Sequence, residues 1–330
     1  MNDKVAFCVV TWNNADVVGE CLDALCAQQG VAFDVYVLDN ASEDGTPEVL
    51  RGYPRARVTA GRVNEGFAGG NNRLVAQALR DPEVGYVALV NSDAVLAPDW
   101  AATLVRFAAE RPRTGCLQGV TLDYYDRSKV DSLHIFVNGR LQGQQYGYGE
   151  PYQPERYAAR KVFGVNAAAA MYTRAMICGL PDQGKRFFDE RFFMYYEDID
   201  VCFRALLTGW DAWFVPEALA YHMGSVSAKK RGSSFAATMV ARNQAAMLAK
   251  NAPWTVVRRS LPSYVYGLIV YLREIRRDLG AQAALATAAS FVRGLARTPL
   301  YWASRRRIQA AAVVDADYLL RVMHNGGILG

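Results

Sequence analysis

The sequence predicts an α/β fold, a mostly parallel central sheet flanked by helices, with a C-terminal helical extension. Three observations predict it. Short apolar runs, Val5–Val10, Val35–Leu38 and Tyr86–Val90, recur in the N-terminal part of the chain, each of a length suited to a buried strand. Segments of helical period separate them, and this alternation is the pattern of a parallel sheet with helices on both faces. The runs also stop at polar residues: Thr11 and Asn13, Asp39 and Asn40, Asn91 and Asp93. Sheets of this class bind ligands at the carboxyl ends of their strands. Asx residues also make turns after strands, so any one of these reads equally as a turn.

Taken in order, Val5–Val10 is a strand feeding the loop Thr11-Trp12-Asn13-Asn14. Residues 16–28 place Val17, Val18, Cys21, Leu22 and Leu25 at helical spacing. Val35–Leu38 is a second strand, followed by the turn residues Ser42, Asp44 and Gly45. Val58–Gly61 is expected as a third strand, Gly69–Leu79 as loop into helix, and Tyr86–Val90 as a fourth strand. From about 120 to 165 the pattern loosens. Gly139, Gly143, Gly147 and Gly149 with Tyr146, Tyr148 and Tyr152 read there as a mobile, aromatic-lined loop region. Residues 197–207 return to helical spacing through Ile199, Cys202, Phe203, Leu206 and Leu207, ending at Gly209.

Composition narrows the function. With 52% hydrophobic and 21% charged residues, the 330-residue chain reads as a globular protein of one large or two ordinary domains. It has no apolar run of spanning length and no signal-peptide pattern at its start. Six cysteines without a C-x-x-C pair argue against a zinc site and fit reduced thiols, so the expected location is cytoplasmic. Residues 251–330 hold eleven Arg and four Asp or Glu, so the net charge of +5 resides in the tail. A body without a basic aromatic stripe argues against nucleic acid as partner.

Four constellations carry chemistry. Asn64-Glu65-Gly66-Phe67-Ala68-Gly69-Gly70-Asn71-Asn72 brings glycines to a helix start, where exposed N–H groups favour an anion. It matches neither the dinucleotide fingerprint nor the P-loop. Asn91-Ser92-Asp93 offers a strand-end carboxylate for Mg²⁺ or Mn²⁺, or else a turn residue. In Phe187–Asp200, aromatic residues surround Asp189, Glu190, Glu197, Asp198 and Asp200. Apolar neighbours raise a carboxylate's pKa, which suits a general base. The plainer account makes Glu197, Asp198 and Asp200 helix-start acids. Finally, His222 follows a strand beside Gly224 and is one of three histidines, structural or metal-ligating.

Together these segments resemble the inverting glycosyltransferases of family 2, in particular the rhamnosyltransferase-like branch. The resemblance rests on Val9–Asn13, Val37–Thr46, Asn64–Asn72, Asn91–Asp93, Phe188–Asp200 and Val215–Gly224, spanning roughly residues 5–225. It implies a GT-A fold and a hexosyltransferase. The catalytic domain would cover 1–250, with a nucleotide-sugar half over 1–115 and an acceptor half over 116–250, followed by a basic helical region over 251–330. Thr11, Asn13 and Asp39 would hold the base and ribose. Asn64, Gly66, Gly69, Asn71, Asn91, Ser92 and Asp93 would lie along the nucleotide and diphosphate. Asp93 and His222 would ligate Mg²⁺ or Mn²⁺, and Asp198 would be the general base, with Glu197 as alternative. Ala94 follows Asp93 where the family often has a polar residue, leaving Asp93 as the one ligand of that motif. Lys229, Lys230, Arg231 and Trp210 are weaker candidates for the diphosphate or acceptor.

The implied donor is deoxythymidine-diphosphate rhamnose, with uridine-diphosphate sugars second, and the acceptor a glycan or polyprenyl-diphosphate-linked sugar in cell-surface polysaccharide synthesis. A non-catalytic sugar-nucleotide binder of the same fold is the rival reading, and it would lack a base or ligand that is present here. In the tail, Val257, Leu261, Tyr264, Val265, Leu268, Leu272, Ile275 and Leu279 share one helical arc while Arg258, Arg259, Arg273, Arg276 and Arg277 share another. Such a face over 254–307 suits peripheral contact with the inner face of the cell membrane. It would equally suit packing on the catalytic domain or on a second copy in a homodimer.

Overall fold

The computed structural model describes residues 2–181, 187–224 and 233–329. Its sheet is ordered β10-β12-β6-β11-β4-β1-β2-β3. β1 (Lys4–Thr11), β2 (Phe33–Asp39), β3 (Ala56–Ala60) and β4 (Val84–Val90) are mutually parallel, the half expected from the apolar runs. In β1, β2 and β4 nearly all Val, Leu and Ala side chains are buried, on both faces, which is why these strands read as continuous runs without alternation; β3, at the sheet edge, is largely exposed. α1 (Val18–Cys26), α2 (Thr46–Arg51), α3 (Gly66–Ala78) and α4 (Trp100–Ala109) connect or flank the strands.

The other half adds β6 (Thr114–Asp123), β11 (Ala169–Thr173) and β12 (Asp211–His222). β11 lies antiparallel between β4 and β6, and β12 runs parallel to β6. The stretch read from sequence as loop contains four short strands: β7 (Val130–Ser132), β8 (His134–Val137), β9 (Gly143–Tyr146) and β10 (Arg160–Val162). Each has three or four residues, too few to establish a period. β5 (Ala94–Leu96) pairs with β12, and the short α5 (Arg174–Gly179) follows β11.

α6 (Glu197–Leu207) matches its expected bounds. α7 (Ser233–Asn251) packs on α6 and on α9 (Ala281–Ala296) and α10 (Trp302–Ala310). The boundary expected at residue 250 therefore falls at the end of a helix that touches both regions. α8 runs from Trp254 to Leu279 with Pro262 inside it. After α11 (Ala316–His324) the chain returns to the catalytic body: Phe163 N–H donates to Gly327 O, and His134 Nε2 lies 2.8 Å from Gly326 O.

Candidate active site

The strand ends converge as expected, but many of their side chains brace one another. Thr11 and Asp39 are register partners at the ends of β1 and β2. Asn13, at φ 53°, accepts from Glu43 N–H while its own N–H donates to Ser42 Oγ. Asn14 Nδ2 donates to Ser92 Oγ at 2.7 Å, tying the β1 loop to the β4 loop. Asn64 accepts from Asn40 Nδ2 and from Gly66 N–H. Asp39 accepts from Ser42 N–H, and the buried Thr11 Oγ1 has no hydrogen-bond partner among the described residues.

The glycines of Asn64–Asn72 make room for close packing. Gly66 has φ +73°, and a Cβ there would lie 2.5 Å from Phe193. The Phe193 carbonyl takes the Ala68 N–H at 3.0 Å, closing the start of α3. A Cβ on Gly70 would meet Val10 at 2.9 Å, so the glycine lets α3 lie close to β1. Gly69 and Asn71 are buried, and Asn71 donates to Phe67 O of its own helix.

A cavity of about 780 Å³ opens beside the strand ends, lined by Asn91, Ser92, Asp93, Glu197, Asp198 and His222 among others. Residues distant in sequence meet there because β12 pairs with β5 on one side, His222 opposite Ala94, and with β6 on the other, His222 opposite Asp123. His222 Nε2 lies 3.3 Å from Asp93 Oδ1, and Nδ1 lies 3.1 Å from Asp131 Oδ2. The Asn91 amide is 3.3 Å from the same Nε2. Burial opposes a proton on His222, but the hydrogen-bonded carboxylates of Asp131 and Asp93 outweigh it and push its pKa up to about 10.

The donor set fits a divalent cation. Asp93 offers a carboxylate and His222 an imidazole nitrogen whose proton the cation would displace, and Asp131 holds the far side of the ring as outer-shell carboxylates do. Among the described residues no third His, Cys, Asp or Glu completes a cluster, so the remaining ligands would be water and diphosphate oxygens. Sequence reasoning missed Asp131 because it lies on three-residue β7, without any local motif.

Glu197 and Asp198 open α6. The chain reaches them through left-handed backbone at Phe193, Tyr195 and Tyr196, with φ of 66°, 68° and 72°. Such conformations cost on the order of 1–3 kcal/mol each and persist only when the surroundings impose them. Here α7 imposes them. Asn243 Nδ2 donates to the carbonyls of Phe192, Met194 and Tyr195 at 2.8–2.9 Å. Arg242 donates to Phe192 O at 2.9 Å.

Burial raises both carboxyls, and to different degrees. Glu197 is 6% exposed, its Oε2 has no hydrogen-bond partner among the described residues, and desolvation with Asp198 beside it holds its pKa well above the usual range. Asp198 keeps part of its surface in the cavity and accepts Ile199 N–H at 2.7 Å. Burial pushes it up to about 6, with backbone N–H bonds pulling the other way. Environment thus sets Glu197, the deeper acid with its pKa raised, apart from Asp198, the candidate base that faces the cavity. Asp200 is neither: fully buried, it binds Arg204 at 3.0 Å, Lys250 at 2.9 Å and Asn251 at 2.7 Å. Lys250 also reaches Asp189 at 3.2 Å.

Trp210 lies at the far end of α6, packed over Gly115 and Gly179, away from this cavity. Lys229, Lys230 and Arg231 lie outside the described residues.

The sequence model of Glycosyl transferase family 2 matches residues 6–177, just over half of the chain. The chain belongs to this family. It is a glycosyltransferase, and the cavity is built on its matched half together with α6 and β12. It is 26% identical over 242 residues to N-acetylglucosaminyl-diphospho-decaprenol L-rhamnosyltransferase of Mycobacterium tuberculosis, covering 67% of this chain and 76% of that protein. It is 32% identical over 141 residues to the succinoglycan biosynthesis protein ExoO of Rhizobium meliloti, covering 42% of this chain and 38% of the relative. Among solved structures, S. aureus TarS 1–349 in complex with UDP-GlcNAc superposes with a TM-score of 0.58 at 16% identity, covering 98% of this chain and 92% of that one. The mannosyltransferase PcManGT from Pyrobaculum calidifontis, in complex with GDP-Man and Mn²⁺, gives 0.53 at 18% identity, covering 93% and 85%. These likenesses show the GT-A fold of this glycosyltransferase.

Proposed function

We propose that this glycosyltransferase moves L-rhamnose from deoxythymidine-diphosphate rhamnose to a polyprenyl-diphosphate-linked glycan, with inversion, in cell-surface polysaccharide synthesis. The observation that carries the reading is one cavity lined both by the Asp93–His222 pair and by Asp198 with its raised pKa. Donor and acceptor class follow the mycobacterial relative, whose name specifies a rhamnosyl transfer to a decaprenol-linked sugar. Six free cysteines fit a reducing compartment, which supports a reaction at the cytoplasmic face of the membrane.

In the reaction, Asp198 takes the proton of the acceptor hydroxyl as that oxygen attacks the anomeric carbon. The bond from that carbon to the diphosphate breaks, and the nucleoside diphosphate leaves with the bonding electrons. One displacement inverts the centre and needs no covalent sugar intermediate. An acceptor hydroxyl is too weak an acid to attack at neutral pH without such a base. Glu197 beside it lies deeper and its raised pKa favours its neutral form, which leaves Asp198 the better placed of the two for the base function. Mg²⁺ or Mn²⁺ held by Asp93 and His222 would neutralise charge on the departing diphosphate. Asn91 and Ser92 border the same space, and Thr11, Asn13, Asp39 and Asn64 stand on the neighbouring strand ends, where the nucleoside would lie.

A thermal-shift screen of deoxythymidine-, uridine- and guanosine-diphosphate sugars, each with Mn²⁺ and with chelator, tests this reading. A ligand that binds only the folded state raises the midpoint. Metal-dependent stabilisation by deoxythymidine-diphosphate rhamnose supports it. A shift by a uridine-diphosphate sugar alone replaces the donor.

A further inference from the structure

Of the sixteen large apolar side chains exposed among the described residues, eleven lie between Trp254 and Trp302. Single exposed apolar residues are ordinary, but this concentration is not. On α8, Leu261, Val265 and Ile269 are 44–49% exposed and fall within an arc of about 80° at 100° per residue. On α9, Leu285, Val292 and Leu295 are 46–71% exposed and fall within a similar arc.

The packed face of α9 is built from small residues, whereas that of α8 mixes Ser260 and Gly267 with Val256, Val257 and Tyr264. α9 buries Ala283, Thr287, Ser290 and Gly294, and a Cβ on Gly294 would lie 2.6 Å from the Arg242 carbonyl oxygen. α8 buries Val256, Ser260 and Gly267. A helix of a water-soluble surface buries its large apolar side chains and exposes small or polar ones. On α9 the large side chains point outward while the small ones admit close helix packing. That is the arrangement of helices whose outer face meets hydrocarbon, where small residues line the helix–helix contact.

Charge names the occupant. Residues 254–307 contain ten Arg, no Lys and two acids, Glu274 and Asp278. Arg258, Arg273 and Arg276 are exposed on or beside the apolar arc of α8, and Arg293 and Arg297 are exposed at the C-terminal end of α9. Long arginine stems lie along an apolar surface while their guanidinium groups reach phosphate. No helix among the described residues is long and apolar enough to cross a membrane. We propose that α8 and α9 form an interfacial hairpin that seats in an anionic lipid bilayer, apolar faces at the acyl boundary and arginines among the headgroup phosphates. The outcome goes beyond the identity of donor and acceptor, because the lipid itself is the ligand.

The test is flotation of the full chain, without sugar nucleotide, on vesicles of phosphatidylcholine alone or with phosphatidylglycerol. The expected result is binding to the anionic vesicles, with the neutral ones bound at least about tenfold more weakly. Replacing Arg273 and Arg276 by Ala should weaken binding about fivefold for each arginine near the surface. The triple variant Leu285→Ser, Val292→Ser and Leu295→Ser should lose binding to both vesicle types with an unchanged melting temperature, since these side chains are exposed. Failure of the wild-type chain to float with anionic vesicles overturns the proposal. So does a lipid-free dimer seen by light scattering that the triple variant dissociates, which would assign the face to a second copy. Either result leaves the donor screen untouched.

Discussion

The side-chain amide of Asn243 donates to the carbonyl oxygen of Tyr195 at 2.8 Å, three residues before Asp198. Two further carbonyls, of Phe192 and Met194, share that amide, so a single side chain of α7 holds the whole left-handed entry to α6. Asp198, the proposed general base, is thus aimed by a helix that lies outside the family-matched segment.

Replacing Asn243 with Leu should lower kcat by about 100-fold, the scale of a 1 Å misplacement of a catalytic group. The donor-induced thermal shift should persist, since the Asp93 side of the cavity is untouched. Asn243→Asp, which cannot donate to the carbonyls, should behave like the Leu variant. Normal turnover in Asn243→Leu would show that the loop holds itself.

Lys250 is 1% exposed and sits between Asp200 and Asp189. Removing one partner of a buried ion cluster leaves uncompensated charge, at a cost of about 3–5 kcal/mol. Lys250→Met should therefore lose stability on that scale in urea unfolding. A loss below 1 kcal/mol, on the order of an exposed pair, would contradict the burial argument.

Asp131→Asn removes the carboxylate that orients the His222 ring. Outer-shell partners of this kind are worth about 10- to 100-fold in metal affinity. Titrating Mn²⁺ into the chain with saturating nucleotide should show that loss, while Asp131→Glu recovers part of it. Unchanged Mn²⁺ affinity would remove His222 from the ligand set.

The raised pKa of Asp198 has two consequences of known sign. As a base it must be ionised, so kcat/KM should fall tenfold per pH unit below about pH 6, an acid limb well above that of an ordinary Asp. Its neutral form is the one the fold favours. The stability it contributes is present below the unfolded value of 3.8 and is lost as pH rises through about 6. Asp198→Asn should then be more stable than the wild type at pH 7.5, by at most about 3 kcal/mol, and gain little at pH 4. Differential scanning calorimetry at the two pH values reads this directly.

The parallel half of the fold was legible because Val5–Val10, Val35–Leu38 and Tyr86–Val90 are buried on both faces and so appear as unbroken apolar runs. α6 was legible through its period and its glycine stop. β7 to β10 were not, being too short to carry alternation. At the site, Asp93, Glu197, Asp198 and His222 stood out from local motifs, and all line one cavity. Asp131, Asn243 and Lys250 did not, since their partners lie far away in the chain and nothing local marks them. The packing part of the glycines of Asn64–Asn72 was hidden for a related reason: Gly66 and Gly70 make room for Phe193 and Val10, contacts invisible until the chain is folded. Asp200 looked like its neighbours in sequence, and only its burial against Lys250 and Arg204 separates it from them.

Asp198 stands here as the proposed general base of a rhamnosyl transfer. The most direct measurement is single-turnover transfer from deoxythymidine-diphosphate rhamnose to a polyprenyl-diphosphate-linked N-acetylglucosamine by the wild type and by Asp198→Asn, with the metal-dependent donor shift recorded for both. The account predicts a rate loss of about 10² to 10⁴-fold in the variant with the donor shift retained. Transfer at the wild-type rate by Asp198→Asn would contradict it and move the base to another residue.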